Sequence, residues 1–257
     1  MAKQTTINGE LVSEIELVKS ISYDQNEIIQ WIMNLYCPDG FELDPTHSIG
    51  NFYKKIPKPK LKYDISPQSS DVKQADCTDL PLDNNSIQSI MFDPPFVVGI
   101  PTDTAKNGIM EKRFGSYSNI QKDLWRMYLK SMAEFKRILK DNGVLVVKCQ
   151  DIVSCGLQFM SHIELINYAI LLGFYPKDLF ILLAENRVNR WKDKPQQHSR
   201  KFHSYFIVFI NQKSPVKYTV SGFNPYQESL ISVKRESDDS QNSPHIDNKE
   251  KEDAKFS

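Results

Sequence analysis

Four acidic residues, Asp44, Asp64, Asp76 and Asp93, each fall at or just after the end of a short run that reads as a β-strand in this 257-residue chain. The last of them opens the most unusual stretch, "SIMFDPPFVVG", residues 89–99. Pro94 and Pro95 have no N–H and a fixed φ, so this corner presents carbonyl oxygens without competing donors. Asp93 adds a second acceptor. Two acceptors at the mouth of a sheet match the two hydrogens of a planar amino group, and Phe96 offers an apolar face for an aromatic ring. An exocyclic amino group of a nucleobase is the natural guest. The same residues also suit a plainer role, a strand stopped by prolines with Asp93 capping a turn.

Those acids need a scaffold, and the hydrophobic pattern supplies one. Residues 24–36 predict a helix with Ile28, Ile29, Ile32 and Met33 on one face, opened by Asp24 and Glu27 as an acidic capping box. Strands are expected at 41–43, up to Asp64, at 72–75 and at 87–92, followed by a long connection over 97–118 of the kind that often carries function. A helix over 119–140 then precedes the β-branched strand of "GVLVVKC". Residues 156–172 read as the next helix, and "DLFILLAEN" and "SYFIVFIN" as the sixth and seventh strands. Strands alternating with helices predict a doubly wound, mostly parallel α/β sheet, whose ligands sit at the carboxyl ends of its strands.

Composition excludes several classes. Lysines and arginines number 32, as do aspartates and glutamates, so no global field draws nucleic acid and any basic footprint must be local. The four cysteines, Cys37, Cys77, Cys149 and Cys155, form no CxxC or Cys/His cluster, so no metal is expected and a reducing, cytoplasmic setting fits. The first twenty residues lack the apolar core of a secretory leader, and no run reaches the roughly 18 apolar residues of a membrane span. A dinucleotide fingerprint would need more glycine than this chain shows, and a P-loop would need a Gly-Lys-Ser/Thr that is missing.

"DPPF" after an apolar strand resembles the catalytic motif of S-adenosylmethionine-dependent DNA amino-methyltransferases, which modify adenine N6 or cytosine N4. Some fifty residues upstream, "FELDPTHSIGNFY" resembles the cofactor loop of that family, Asp-Pro-Phe-x-Gly-x-Gly-Thr. Asp44, Pro45 and Gly50 match, Asn51 takes the threonine position, and Thr46 and Ser48 replace the aromatic and the first glycine. The resemblance spans residues 20–211. It implies a seven-stranded sheet of the Rossmann-like methyltransferase type with an antiparallel last strand. It also implies a cofactor held by Asp44, Pro45, Thr46, Ser48 and Gly50, with Asp64 at the ribose and Asp76 and Cys77 at the adenine. A base flipped from its stack would be held by Asp93, Pro94, Pro95 and Phe96, and no cysteine nucleophile would be needed. Taken singly, each acid also serves as a turn or cap residue, and His47 reads as an exposed turn histidine.

A local basic run completes the sequence-based expectation. Residues 186–203, "NRVNRWKDKPQQHSRKFH", carry six lysines and arginines against one aspartate. Arg187, Arg190, Lys192, Arg200 and Lys201 would suit phosphate contacts, with double-stranded DNA the expected partner; a solvated hairpin between two edge strands is the alternative. That hairpin would lie beside the cofactor end only if those strands are antiparallel neighbours joined at the same rim. The expected organisation is a catalytic domain over residues 1–213, interrupted near 97–118 and 186–203, followed by a poorly structured tail over 214–257. Adenine N6 is the favoured target, because cytosine-N4 enzymes more often carry serine at the Asp93 position. An RNA amino-methyltransferase and an inactive nucleic-acid-binding module of the same fold are the rivals.

Overall fold

In the computed structural model the described residues are 4–7, 10–13, 17–96, 120–154, 156–186 and 196–212. The connection over 97–118, the centre of the basic run with Arg187, Arg190 and Lys192, and the tail over 214–257 lie outside them.

Three pieces precede the first helix: the antiparallel pair β1 (Gln4–Ile7) and β2 (Glu10–Ser13), and a two-residue strand β3 (Ile21–Ser22). Helix α1 (Gln25–Tyr36) follows, with Asp24 accepting from the Asn26 N–H as its N-cap. The anticipated box closes differently: Ser22 Oγ donates to Glu27 and accepts from the Asp24 N–H, so a serine stands between the two acids. Its apolar stripe, Ile28, Ile29, Ile32 and Met33, is buried as the spacing requires. Then come β4 (Leu43–Asp44), β5 (Leu61–Asp64), β6 (Lys73–Gln74) and β7 (Ile87–Phe92). Helix α2 (Ile120–Ile138) runs directly into β8 (Leu139–Cys149), with Asn142 at φ 59° in the turn.

The stretch after β8 differs from expectation. Residues 156–172 do not form one helix: β9 (Ile152–Ser154) and β10 (Leu157–Phe159) make a small antiparallel hairpin, and helix α3 (Ser161–Leu171) starts only afterwards. Gly156 at φ +77° lies in the reversal between the two short strands, a conformation disfavoured for side-chain-bearing residues. The apolar residues of 157–160 satisfy helical and strand periods alike. Strands β11 (Phe174–Leu183) and β12 (His203–Asn211) close the chain's described part.

The main sheet has eight strands, in the order β3-β11-β12-β8-β7-β4-β5-β6. Seven of them are those expected; the eighth, β3, is an edge addition of two residues paired to β11. From β6 through β8 every pairing is parallel, and β12 runs antiparallel between β8 and β11. The antiparallel last strand of the expected methyltransferase-type sheet is therefore present. Both faces are covered. Val144 and Val146 of β8 join the core under α1, while Leu145, Val147 and Cys149 join the one under α2 and α3. Phe135, fully buried and edge-on to Phe92, exemplifies the second core; burying such a ring contributes about 2–3 kcal/mol.

Candidate active site

This topology puts the carboxyl ends of β4, β5, β7 and β8 on one rim. Strand β12 enters the sheet from that same rim, since its Tyr205 pairs with Cys149 at the end of β8. The described ends of the β11–β12 connection, residues 184–186 and 196–202, therefore lie at the rim that carries Asp93. Arg200 is exposed there and Lys201 half-buried, its ammonium donating to Ser199.

At the end of β4, Asp44 is buried and accepts from the Thr46 N–H at 2.8 Å and from the Tyr53 hydroxyl at 2.8 Å. Burial pushes its carboxyl up to about 7; the Thr46 and Tyr53 hydrogen bonds oppose this, and the nearby Asp93 charge adds to it. Thr46 then reaches across to the next strand: its Oγ1 lies 3.3 Å from both Asp44 Oδ1 and the Asp93 N–H, which donates to it. The loop ahead turns through two left-handed residues, Ser48 at φ 53° and Gly50 at φ 69°. A side chain at Gly50 would place its Cβ 2.9 Å from His47 Nε2.

Asp64 ends β5 and grips the same loop. One carboxylate oxygen accepts from the Ser48 N–H and the other from the Ser66 N–H, both at 2.8 Å. Asp44, Asp64 and Asp76 each accept from the N–H two residues on, so each does serve a turn. What separates them is convergence. Asp44, Thr46, Ser48, Gly50, Asp64 and Asp93 share one connected corner, and Asp76 follows the edge strand β6 beside it, where the Ala75 N–H donates to the Asp64 carbonyl at 3.1 Å; Asp76 is exposed where Asp44 and Asp64 are buried. The Cys77 thiol faces α2, where it accepts from Ser131 Oγ at 3.2 Å. Burial pushes that thiol up to about 11, which suits a packed and unreactive cysteine.

His47 is a correction. It is buried, not exposed, with its ring 5.4 Å from that of Tyr53. Burial, reinforced by Lys62, pushes it down to about 4, so the imidazole is neutral at pH 7 although Nδ1 lies 3.7 Å from Asp44 Oδ2. Its Nδ1 and the Ser48 Oγ are buried without a hydrogen-bond partner among the described residues, two polar groups left unsatisfied in one loop.

In the Asp93–Phe96 corner Pro94 is buried and Asp93, Pro95 and Phe96 are partly so. The sequence reading missed its neighbour. Lys148 Nζ lies 3.5 Å from Asp93 Oδ1, donates to Gln25 Oε1 at 2.7 Å, and stands over the rings of Phe52, Phe96 and Phe206. A lysine inside the apolar run "GVLVVKC" is the signal that pointed to it. A second missed group lies past the end of β8. There Asp151 holds His162 Nδ1 at 2.7 Å, the His162 ring stacks on Tyr205 at 4.2 Å, and the Tyr205 hydroxyl meets His203 Nε2 at 2.9 Å. Among the described residues no cluster of histidine, cysteine, aspartate and glutamate could hold a metal, and no helix is long and apolar enough to cross a membrane.

No known family pattern matches the chain, and no curated protein is detectably similar in sequence. Similar solved structures include a candidate DNA modification methylase of Thermus thermophilus, at 13% identity and a TM-score of 0.39 over 66% of this chain. The match spans 64% of that neighbour, just under two thirds of its length. The cytosine-N4-specific PvuII DNA methyltransferase is similar at 15% identity and a TM-score of 0.37, over 60% of this chain and 54% of its own. A methyltransferase of Haloferax volcanii, solved with its activator Trm112, is similar at 12% identity and a TM-score of 0.40, over 73% of this chain and 92% of its own.

Proposed function

We propose that the chain is an S-adenosylmethionine-dependent amino-methyltransferase acting on DNA, with adenine N6 as the target. One observation carries this reading: Thr46 ties the Asp44 loop of β4 directly to the Asp93 corner of β7. A cofactor loop and an amine-holding corner at neighbouring strand ends are what direct group transfer requires.

The loop fits a cationic, hydrogen-bonding cofactor. Asp44 is a buried carboxyl short of positive charge, since the histidine beside it is neutral at pH 7 and the nearby Asp93 charge pushes its pKa further up. His47 Nδ1 and Ser48 Oγ await partners. Asp44, Pro45, Thr46, Ser48 and Gly50 would hold the methionine end and Asp64 the ribose; Asp76 and the Cys77 main chain would border the adenine end. When bound, the cofactor supplies a methyl group on a positively charged sulfur. Asp93 and the Pro94 carbonyl would accept the two amino hydrogens, which turns the nitrogen lone pair toward that methyl. The amino nitrogen would take that methyl, the neutral thioether would be the leaving group, and the nitrogen's excess proton would pass to water. Phe96 would stack the extruded base, returning about 1–3 kcal/mol against a flipping cost of a few kcal/mol. Arg200 and Lys201 would face the phosphates. The catalytic unit would span 1–213, with 214–257 a tail outside it.

The test is to incubate the protein with radiolabelled cofactor and separate pools of unmethylated DNA, tRNA and rRNA, then sequence modified bases in the labelled pool. Label in DNA at adenine N6 supports the reading. Label only in RNA moves the substrate to the RNA rival, and cofactor binding without any transfer favours the inactive module.

A further inference from the structure

Lys148 joins four separate segments of this rim. Its place follows from the period of β8: Val144, Val146 and Lys148 share a face, and the first two pack under α1. The third position reaches the rim, where an apolar side chain would complete the pattern and an ammonium appears instead. That ammonium is mostly buried, its side chain 11% exposed. It reaches Gln25 in the first turn of α1, Phe52 in the 3-10 turn after Gly50, Phe206 on β12, and both Asp93 and Phe96 of the proline corner. The three ring centroids stand 5.2–5.6 Å from Nζ, within the reach of cation–π attraction.

We infer that Lys148 is a positioning residue for the transfer reaction: through the Asp93 ion pair and the Phe96 ring it fixes the two groups that hold the target base. This rests on the amino-methyltransferase reading. The prolines stiffen the corner's φ angles, which does not set the χ angles of Asp93 and Phe96. Lys148 contacts both from one point, by the ion pair to Asp93 and by its ammonium over the Phe96 ring. Its amine is not called on to exchange a proton. An apolar side chain of similar length would keep the packing against Phe52 and Phe206 but remove the ion pair to Asp93.

The experiment compares wild type, Lys148→Met, Lys148→Arg and Asp93→Asn in the full chain with the labelled-cofactor assay on DNA. Lys148→Met should lower kcat about a hundredfold while leaving cofactor affinity within twofold, and Lys148→Arg should recover at least tenfold of that loss. A Lys148→Met enzyme with wild-type kcat would overturn the inference, as would an equal loss in Lys148→Met and Lys148→Arg matched by a fall in cofactor affinity. A second readout needs no turnover. In a double-mutant cycle on unfolding, Asp93→Asn and Lys148→Met should couple by at least threefold in the equilibrium constant, and strict additivity would refute the pairing. If the wild type methylates neither DNA nor RNA, the amino-methyltransferase reading fails, while the cycle still judges the lysine–aspartate link.

Discussion

Replacing Asp44 by asparagine should stabilise the protein at pH 8 and reverse the pH dependence of the corner. The Asp44 carboxyl rises from 3.8 to about 7 on folding because it is buried. A rise of that size corresponds to about 4 kcal/mol. Between those values the folded state holds a proton that the unfolded chain has released, so the unfolding free energy falls as pH climbs from 4 to 7. The cost is fully present above pH 7 and vanishes below pH 4. His47 runs the other way. Its ring drops from 6.5 to about 4, so the unfolded chain binds the extra proton and stability rises over that range, by about 3 kcal/mol at most. The two slopes nearly cancel in the wild type. Asparagine can keep the contact from the Thr46 N–H and donate its amide to the Tyr53 oxygen, so the His47 slope is left alone. Guanidinium unfolding of the cofactor-free protein at half-unit steps from pH 4 to 8 reads this directly. Asp44→Asn should match the wild type near pH 4 and exceed it by about 2–4 kcal/mol at pH 8. Two parallel curves, or a variant no more stable at pH 8, would refute the account of Asp44 as a carboxyl strained by burial.

Asp93→Ala should abolish methyl transfer while leaving cofactor binding, measured by calorimetry, within a few-fold of wild type. Gly50→Ala should cost about 1–3 kcal/mol in denaturant unfolding and weaken cofactor binding, because its φ of 69° and the buried His47 ring both oppose a Cβ. Removing the charges of Arg200 and Lys201 together should reduce the slope of log affinity for DNA against log salt by up to about 2. A filter-binding titration over roughly 50 to 200 mM salt measures it.

The sheet was legible because its apolar runs are long where strands are central: "SIQSIMF" and "GVLVVKC" have few other uses, and Asp24 and Gly173 mark helix ends by their chemistry. The β9–β10 hairpin was not, since Leu157, Phe159 and Met160 suit a helix as well and only tertiary contact decides. Positions of the strand-end acids could be read from spacing, but their depth could not. Asp44 and Asp76 look alike in sequence, yet one is buried at the end of an interior strand and the other is exposed after the edge strand β6. His47 illustrates the same limit. Its burial comes from Tyr53 and the return of the chain at Gly50, contacts that no local pattern encodes. Lys148 was visible as an oddity in an apolar run, though its meaning needed Gln25, 123 residues away.

The shortest interior strand of the main sheet, β4, has two residues and is wedged between β5 and β7 by hydrogen bonds from its flank: Glu42 N–H to the Ser89 carbonyl and Leu61 N–H to the Glu42 carbonyl. Thr46 and Asp93, 47 residues apart, meet only once that wedge is seated. A brief loosening of these few bonds, far short of global unfolding, would therefore part the Asp44 loop from the Asp93 corner at a stroke. Amide exchange at Glu42 and Leu61 becomes a gauge of how often the Thr46–Asp93 link is broken.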